Sequence, residues 1–340
     1  MEEAAANSAE KKEMIFVSAS SPHVRSGESV GSIMRDVIIA LMPATIAGVY
    51  IFGLSALYNI LAAVVSALLF ESIYIKWMGA EGDILDGSAV LTGLLLALTL
   101  PPNFPLWGTI IGSFFAIIIV KQIFGGLGYN IFNPALAARV FLSVSWPAFI
   151  TTFPDPVRII LGIDAITEAT PLSIVKASMY TPKYLEAVAQ VNNLNRWGLF
   201  LGNKLGCIGE VSVAALLLGG LYLLYKKVIT WHIPVSFILS LLFFNILFNI
   251  KATDPTVSAA FHLLSGGLMI GAIYMATDYV TSPMTERGML VFGIGCGFLT
   301  IMIRMFGGYP EGVSFAILIM NMFTPMIDRY VKIKRFGGRG

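Results

Sequence analysis

The sequence predicts an all-α polytopic membrane protein of about ten transmembrane helices, divided into two five-span halves that form an inverted repeat with broken helices. Three observations predict it. Of 340 residues, 56% are hydrophobic and 12% charged, with a mean hydropathy of +0.80, against about 25% charged residues in an ordinary soluble domain. Apolar runs recur along the chain on both sides of a polar interval from 150 to 205. Lysine and arginine are shared unequally between alternate loops.

The elements follow in chain order. Residues 1–35 open with "MEEAAANSAEKKEM", acidic and polar, unlike the basic-then-apolar pattern of a cleaved signal peptide, and are expected to be a cytoplasmic segment. A first membrane repeat, 36–149, holds runs near 37–55, 57–75, 88–101, 105–123 and 131–149. The interval 150–205 is a loop. A second repeat, 206–330, holds runs near 206–225, 231–249, 258–277, 289–305 and 312–329, and 331–340 is a basic tail. A helix crossing the bilayer needs about 17 to 25 residues, so the run at 88–101 is short.

Orientation comes from charge. With the N-terminus inside, the inner segments carry Lys11, Lys12, Arg25, Arg35, Lys76, Lys121, Lys226, Lys227, Arg287 and the basic positions from Arg329 to Arg339. The short outer loops carry Lys251 and Arg304. The positive-inside rule therefore predicts both termini in the cytoplasm and, after five crossings, the 150–205 loop on the outer face of the cell membrane.

The halves resemble each other. "LTGLLLALTLPPNFP" from Leu91 matches "LSGGLMIGAIYMATDYVTSP" from Leu264, and "FGGLGYNIFNPALAARV" from Phe124 matches "FGGYPEGVSFAILIMN" from Phe306. Five spans is an odd number, so the second copy is inverted. In each copy one span is interrupted: one stops at Pro101-Pro102, the other meets Asp278 and Pro283. Paired interruptions of this kind point to a central site. Gly93, Gly266 and Gly267 fit that site or simple close helix packing equally well.

Ionisable residues within the runs are few. Glu71 and Arg304 lie near span ends and are expected to reach the headgroups, whereas Arg139, eight residues into "FNPALAARVF" and its run, needs an anionic ligand or a carboxylate. Asp278, Thr281 and Ser282 in "ATDYVTSP" offer oxygen ligands for a cation path, or a helix cap beside proline. Cys207 and Cys296 are isolated and read as small buried residues; with His23, His232 and His262 scattered, no metal cluster of this chain's own is expected.

The polar loop carries the most specific pattern, "DAITEATPLS" from Asp164. Thr170 before Pro171 reads as the N-cap of a helix over Leu172–Met179, and a helix N-terminus also favours a phosphate. Lys176, in the same helix, is expected to add positive charge.

The arrangement Asp164, Thr167, Ala169, Thr170 is similar to the Asp-x-x-Ser/Thr-x-Ala-Thr signature at which a flavin transferase esterifies FMN to threonine. Glu168 departs from it, standing where a small residue is expected and adding negative charge beside the phosphoester. "SPHVRSGESVGSIMRDVIIALMPA", "GYNIFNPALAARVFLSVSWPA" and "FHLLSGGLMIGAIYMATDYVTSPMT" extend the likeness over residues 15–332. The chain thereby resembles the NqrB/RnfD family of membrane subunits, found in Rnf ion-translocating electron transport complexes. The resemblance implies a urea-transporter-like fold, covalent FMN at Thr170, non-covalent riboflavin in the membrane part, and ferredoxin oxidation linked to NAD reduction and Na+ or H+ movement. Asn133 and Arg139, in the matched "NPALAAR" stretch, are further cofactor-binding candidates.

The implied partners are the other Rnf subunits, of A, B, C, E and G types, the flavin transferase and the lipid membrane; no nucleic-acid partner is expected. The sequence has no ferredoxin-type cysteine cluster and no Gly-rich dinucleotide fingerprint, so iron-sulfur and NAD chemistry falls to those subunits, and this chain is not catalytic alone. A non-redox channel or carrier for a small solute, and a structural subunit that assembles partners, remain alternatives.

Overall fold

Helix signals in the sequence act locally. The computed structural model describes residues 29–79, 86–154, 167–168, 170–178, 186, 188–189, 196–202, 206–249, 259–309 and 311–331. Helix α1, Val30–Phe52, starts at Ser29, whose hydroxyl accepts from the Ser32 amide while Ser32 returns the bond. It stops at Gly53, whose φ of 67° is strained for any residue with a Cβ, and α2, Leu54–Met78, begins at once.

Three of the described helices are long and apolar enough to cross a membrane: Val30–Phe52, Leu54–Met78 and Glu286–Phe306. The others are shorter. Helix α3, Ser88–Thr99, is 12 residues, and at 1.5 Å per residue it covers about 18 Å of a hydrocarbon core about 30 Å thick. Helix α4, Leu106–Phe114, continues as a π-helical stretch, Phe115–Gln122. Helix α5, Pro134–Ser145, is capped by the Asn133 side chain, which accepts from the Leu136 amide, with proline at the first helical position. A single turn, α6, Pro147–Ile150, follows.

Among the described residues, the chain departs from helix in one short strand pair here. Phe153–Pro154 pairs antiparallel with Thr167–Glu168, Phe153 opposite Glu168 and Pro154 opposite Thr167. The ladder fastens the loop to the end of α6, three residues before Thr170.

Beyond it lie α7, Pro171–Ser178, α8, Arg196–Leu201, α9, Val213–Tyr225, and α10, His232–Asn249. The chain continues with α11, Ala259–Leu264, α12, Leu268–Ile270 running into a π-helical stretch Gly271–Met275, α13, Glu286–Phe306, and α14, Val313–Tyr330.

Small residues let the helices close. A Cβ on Gly93 of α3 would stand 2.7 Å from the Ala63 carbonyl oxygen of α2. In α13, Gly293 and Gly297 admit Ser236 and Ser240 of α10, and the Ser240 hydroxyl also donates to the Gly293 carbonyl at 3.4 Å. Packing is therefore the structural role of Gly93.

Broken ends leave carbonyls that lipid cannot satisfy. At the end of α3, the Gly209 amide donates to Leu98 O (2.7 Å), the Ile208 amide to Leu100 O (3.1 Å), and the Arg139 guanidinium to Thr99 O. Beyond the prolines, the Asn59 amide donates to Pro102 O and Phe104 O at 2.9 and 3.0 Å. The segment before α9 thus completes a helix from the first half of the chain.

Two charges expected at the headgroups lie inside instead. Glu71 and Arg304 are each 3% exposed. Lys121, expected on sequence among the inner loops, is 2% exposed and donates to Glu71 Oε1 and Ser88 Oγ, both at 2.5 Å, while Gln122 also donates to that Glu71 oxygen. Arg304 donates to His262 O (2.7 Å) and Ser265 O (3.1 Å), closing the end of α11. Each side chain has a nearer partner than water, which is why neither extends outward.

Candidate functional site

Thr170 stands at the N-terminal boundary of α7. Its carbonyl accepts from the Ile174 amide at 2.9 Å, the first turn of the helix begins at Pro171, and the residue is 7% exposed. The reading of a cap followed by proline agrees with this, the helix being Pro171–Ser178.

Thr170 borders an open cleft of about 550 Å³ with its mouth included. Its walls come from α5 and α6 (Arg139, Ser143, Pro147, Ile150), from Thr151 and Phe153, and from the start of α14 with its approach (Tyr309, Glu311, Ser314, Phe315). Tyr309 and Phe315 stack with ring centres 4.7 Å apart. The cavity thus offers a buried threonine at a helix N-terminus, an aromatic pair and a guanidinium, a set suited to a phosphorylated aromatic group.

Arg139 finds its carboxylate in Glu311, at 2.5 Å. The same two residues, with Ser314, also line a second cavity of about 320 Å³, toward Cys207, Glu210, Thr99 and Gly267. There Cys207 Sγ and one oxygen each of Glu210 and Glu311 lie within 4.8 Å of one another. Cys207 is buried, and its backbone amide donates to Glu210 Oε1 at 2.8 Å. Cys296 is buried as well.

Lys176, expected to add charge at the threonine, is held at another helix end. Its ammonium donates to the carbonyls of Arg304 and Met305 at 2.9 and 3.0 Å, holding α7 against the end of α13, and partial burial lowers its pKa from the ordinary lysine value. The unpaired carbonyls at a helix C-terminus attract it more strongly than a distant helix start.

Asn133 lies apart from Thr170. It lines a third cavity, a groove of about 770 Å³ with its mouth included, together with Asp278, Thr277, Lys121, Ser88 and Asn130. The Asn133 side chain donates to Met275 O at 3.4 Å. With the amide of Asn321 turned to suit its neighbours, its oxygen accepts from the Asn133 backbone amide (3.2 Å) and its nitrogen donates to Thr281 O (3.3 Å). Thr324 donates to the same Thr281 carbonyl at 2.9 Å, and Thr281 Oγ1 to Asp278 Oδ2 at 3.2 Å. Asp278 also accepts from the Val280 amide, so it caps a turn locally, and Ser282 is buried behind it with its amide on the Asp278 carbonyl.

Of the site candidates, the structure brings Thr170 and Arg139 to one cavity and Asn133 and Asp278 to another, with Thr281 bonded to Asp278 behind it. Thr167 takes part through its backbone pairing with Pro154. Asp164 and Ala169 lie outside the described residues. The reading from sequence missed Glu311, Glu210, Tyr309 and Phe315. Glu210 in "GCIGEVS" was a visible signal, an acid inside an apolar run, and Glu311 stood at the edge of one.

Comparison with known proteins follows the same lines. A model of the NQR2, RnfD, RnfE family matches residues 17–337. The chain is 45% identical over 327 residues to the D subunit of the Na(+)-translocating ferredoxin:NAD(+) oxidoreductase complex of Acetobacterium woodii, covering 96% of each chain. It is 47% identical over 331 residues to the D subunit of the proton-translocating ferredoxin:NAD(+) oxidoreductase complex of Clostridium ljungdahlii, covering 97% of this chain and 99% of the other. It is also 38% identical over 356 aligned positions to the D subunit of the ion-translocating oxidoreductase complex of Escherichia coli, covering 96% of this chain and 99% of that one.

Proposed function

The chain belongs to the NQR2, RnfD, RnfE family, and from that premise we propose that it is the D subunit of an ion-translocating ferredoxin:NAD+ oxidoreductase complex. In this reading it carries electrons through FMN esterified to Thr170 and couples their passage to Na+ or H+ movement. The observation that carries the reading is the position of Thr170, buried at the start of α7 and bordering the cavity shared with Arg139 and the Tyr309–Phe315 pair.

The residues fit the group. The helix N-terminus would receive the phosphodiester, the aromatic pair would pack against the ring system, and Arg139 would face its polar edge. When bound, FMN supplies one- and two-electron redox chemistry; this chain's task is to hold it, exclude water and set its electrostatic surroundings. Riboflavin is the second flavin of the proposal, and the groove lined by Asn130 and Asn133 offers amide groups to a polar ring edge.

For the ion we propose a route past Asp278, which lines that groove, with Thr281 and Ser282 bonded to it from behind. One charge moved across 100 mV stores about 2.3 kcal/mol, so modest coupling to a flavin's charge suffices. Identity to relatives does not choose the ion: the Acetobacterium relative, at 45%, is Na(+)-translocating and the Clostridium relative, at 47%, is proton-translocating.

The protein is a multi-pass membrane protein. The finer layout we propose is the ten-span inverted repeat, with termini in the cytoplasm and the Thr170 loop outside; the interrupted helices α3 and α11–α12, in corresponding places of the two halves, support it. Labelling of single cysteines, placed in the loops of a Cys207→Ser, Cys296→Ser background, tests the sidedness. The other Rnf subunits and the flavin transferase are the proposed partners.

The flavin reading is tested by denaturing gels of protein made in a host with the transferase. A fluorescent band is expected, lost in Thr170→Ala and kept in Thr167→Ala. A dark wild-type band would sink the redox reading and restore the solute carrier.

A further inference from the structure

Arg139 and Glu311 form the wall between two cavities, one bordered by Thr170 and the other by Cys207 and Glu210. An arginine so placed acts on charge in both. It is 4% exposed, and its fixed neighbours are Glu311 at 2.5 Å and the Thr99 carbonyl, so little water screens it. Glu311 in turn stands within 4.8 Å of the Glu210 carboxylate. The Arg139–Glu311 pair thus faces both cavities, with Glu210 on the side away from Thr170.

We propose that Glu311 is a positioning residue that sets how much of the Arg139 charge reaches the Thr170 cavity, and thereby the reduction potential of a flavin held there. This rests on the reading of Thr170 as the flavin anchor. An electron delivered by a one-electron carrier in a partner subunit adds one negative charge to the cavity, and no bond forms or breaks. Arg139 favours that added charge, and Glu311, by neutralising Arg139, opposes it. Glu210 opposes it from farther away. The carboxylate pair then links the charge state of the inner cavity to the flavin through one side chain. Any cation or proton that neutralises Glu210 or Glu311 makes the flavin easier to reduce, and reduction strengthens the hold on that cation.

The test is a redox titration of the purified complex, following the flavin absorbance that Thr170→Ala removes, with the fluorescent gel band as a loading control. Glu311→Gln, which keeps an oxygen for Arg139 but removes its charge, is expected to shift the potential upward. Glu210→Gln should shift it upward by less, Glu311→Asp should restore the wild-type value, and Arg139→Gln should shift it downward. A merely structural role would not move the charge-removing variants in opposite directions. Should Arg139→Gln fail to assemble, the two carboxylate variants decide. A normal band with unmoved potentials, or shifts of one sign in all variants, overturns this inference alone; no band in the wild type overturns it together with the anchor.

Discussion

Arg139 of α5 and Glu311 before α14, 172 positions apart in sequence, meet at 2.5 Å inside the protein, and their contact closes the end of α3 as well as the wall of the Thr170 cavity. Breaking a buried pair by removing one member costs about 3 to 5 kcal/mol, because a charge stays behind without its partner. Arg139→Ala should fall at the upper end, since it also abandons the Thr99 carbonyl; Glu311→Ala, whose side chain is 20% exposed in the wild type, should fall near the lower end. Thermal unfolding in detergent, with each single variant and the double, checks this. A double variant as costly as the summed singles would show that the pair is not coupled.

Lys121 and Glu71 make the parallel case in the other cluster. Lys121→Met leaves Glu71 with Gln122 as its remaining side-chain donor among the described residues and should destabilise by about 3 to 5 kcal/mol. Lys121→Met with Glu71→Leu removes both charges and should recover most of that loss. Midpoints in a detergent melt give the comparison, and a double variant no better than the single would remove the ion pair as the cause.

Lys176 is expected to matter for anchoring the loop rather than for attaching a phosphate. Its ammonium spans two carbonyls at the end of α13, and bonds involving a charged group contribute about 1.5 to 3 kcal/mol. Lys176→Met should raise hydrogen exchange in Pro171–Ser178 while the flavin fluorescence of the gel band persists. Loss of the band with unchanged exchange would return Lys176 to the phosphate.

Asp278→Asn should abolish ion pumping by reconstituted complex while leaving Thr170 modified. Asn keeps the polar contacts to Val280 and Thr281 but not the charge. Pumping at the wild-type rate in vesicles would take Asp278 off the route.

Gly93→Leu should separate α2 from α3, because the side chain would meet the Ala63 carbonyl and the Val64 backbone. Overpacking of this kind costs about 1 to 3 kcal/mol, readable as a lower melting temperature. A neutral result would mean that α3 can shift, and with it the capped carbonyls at its end.

Much of the molecule was legible in the sequence because the signals are local. Apolar run length pointed to helices, and Thr170 before Pro171 marked the start of α7. The interruption at Pro101-Pro102 was visible for the same reason: proline ends a helix wherever it stands. Arg139 was recognisable as a charge that needed a partner, yet its partner was not. A sequence states which charges are costly, whereas distance decides which pairs relieve the cost.

Tertiary structure alone decided the rest. It drew Glu71, Lys121 and Arg304 inward, set Lys176 on the carbonyls at the end of α13, and linked Asn133 to Thr281 through Asn321 instead of bringing it to the Thr170 cavity. It also brought Glu311 and Glu210 to the same wall from opposite ends of the second half. The physical reason is common to all of these. Where lipid offers no hydrogen bonds, every broken helix end and every buried charge must be answered by another part of the chain, and only the folded arrangement determines which part is near enough.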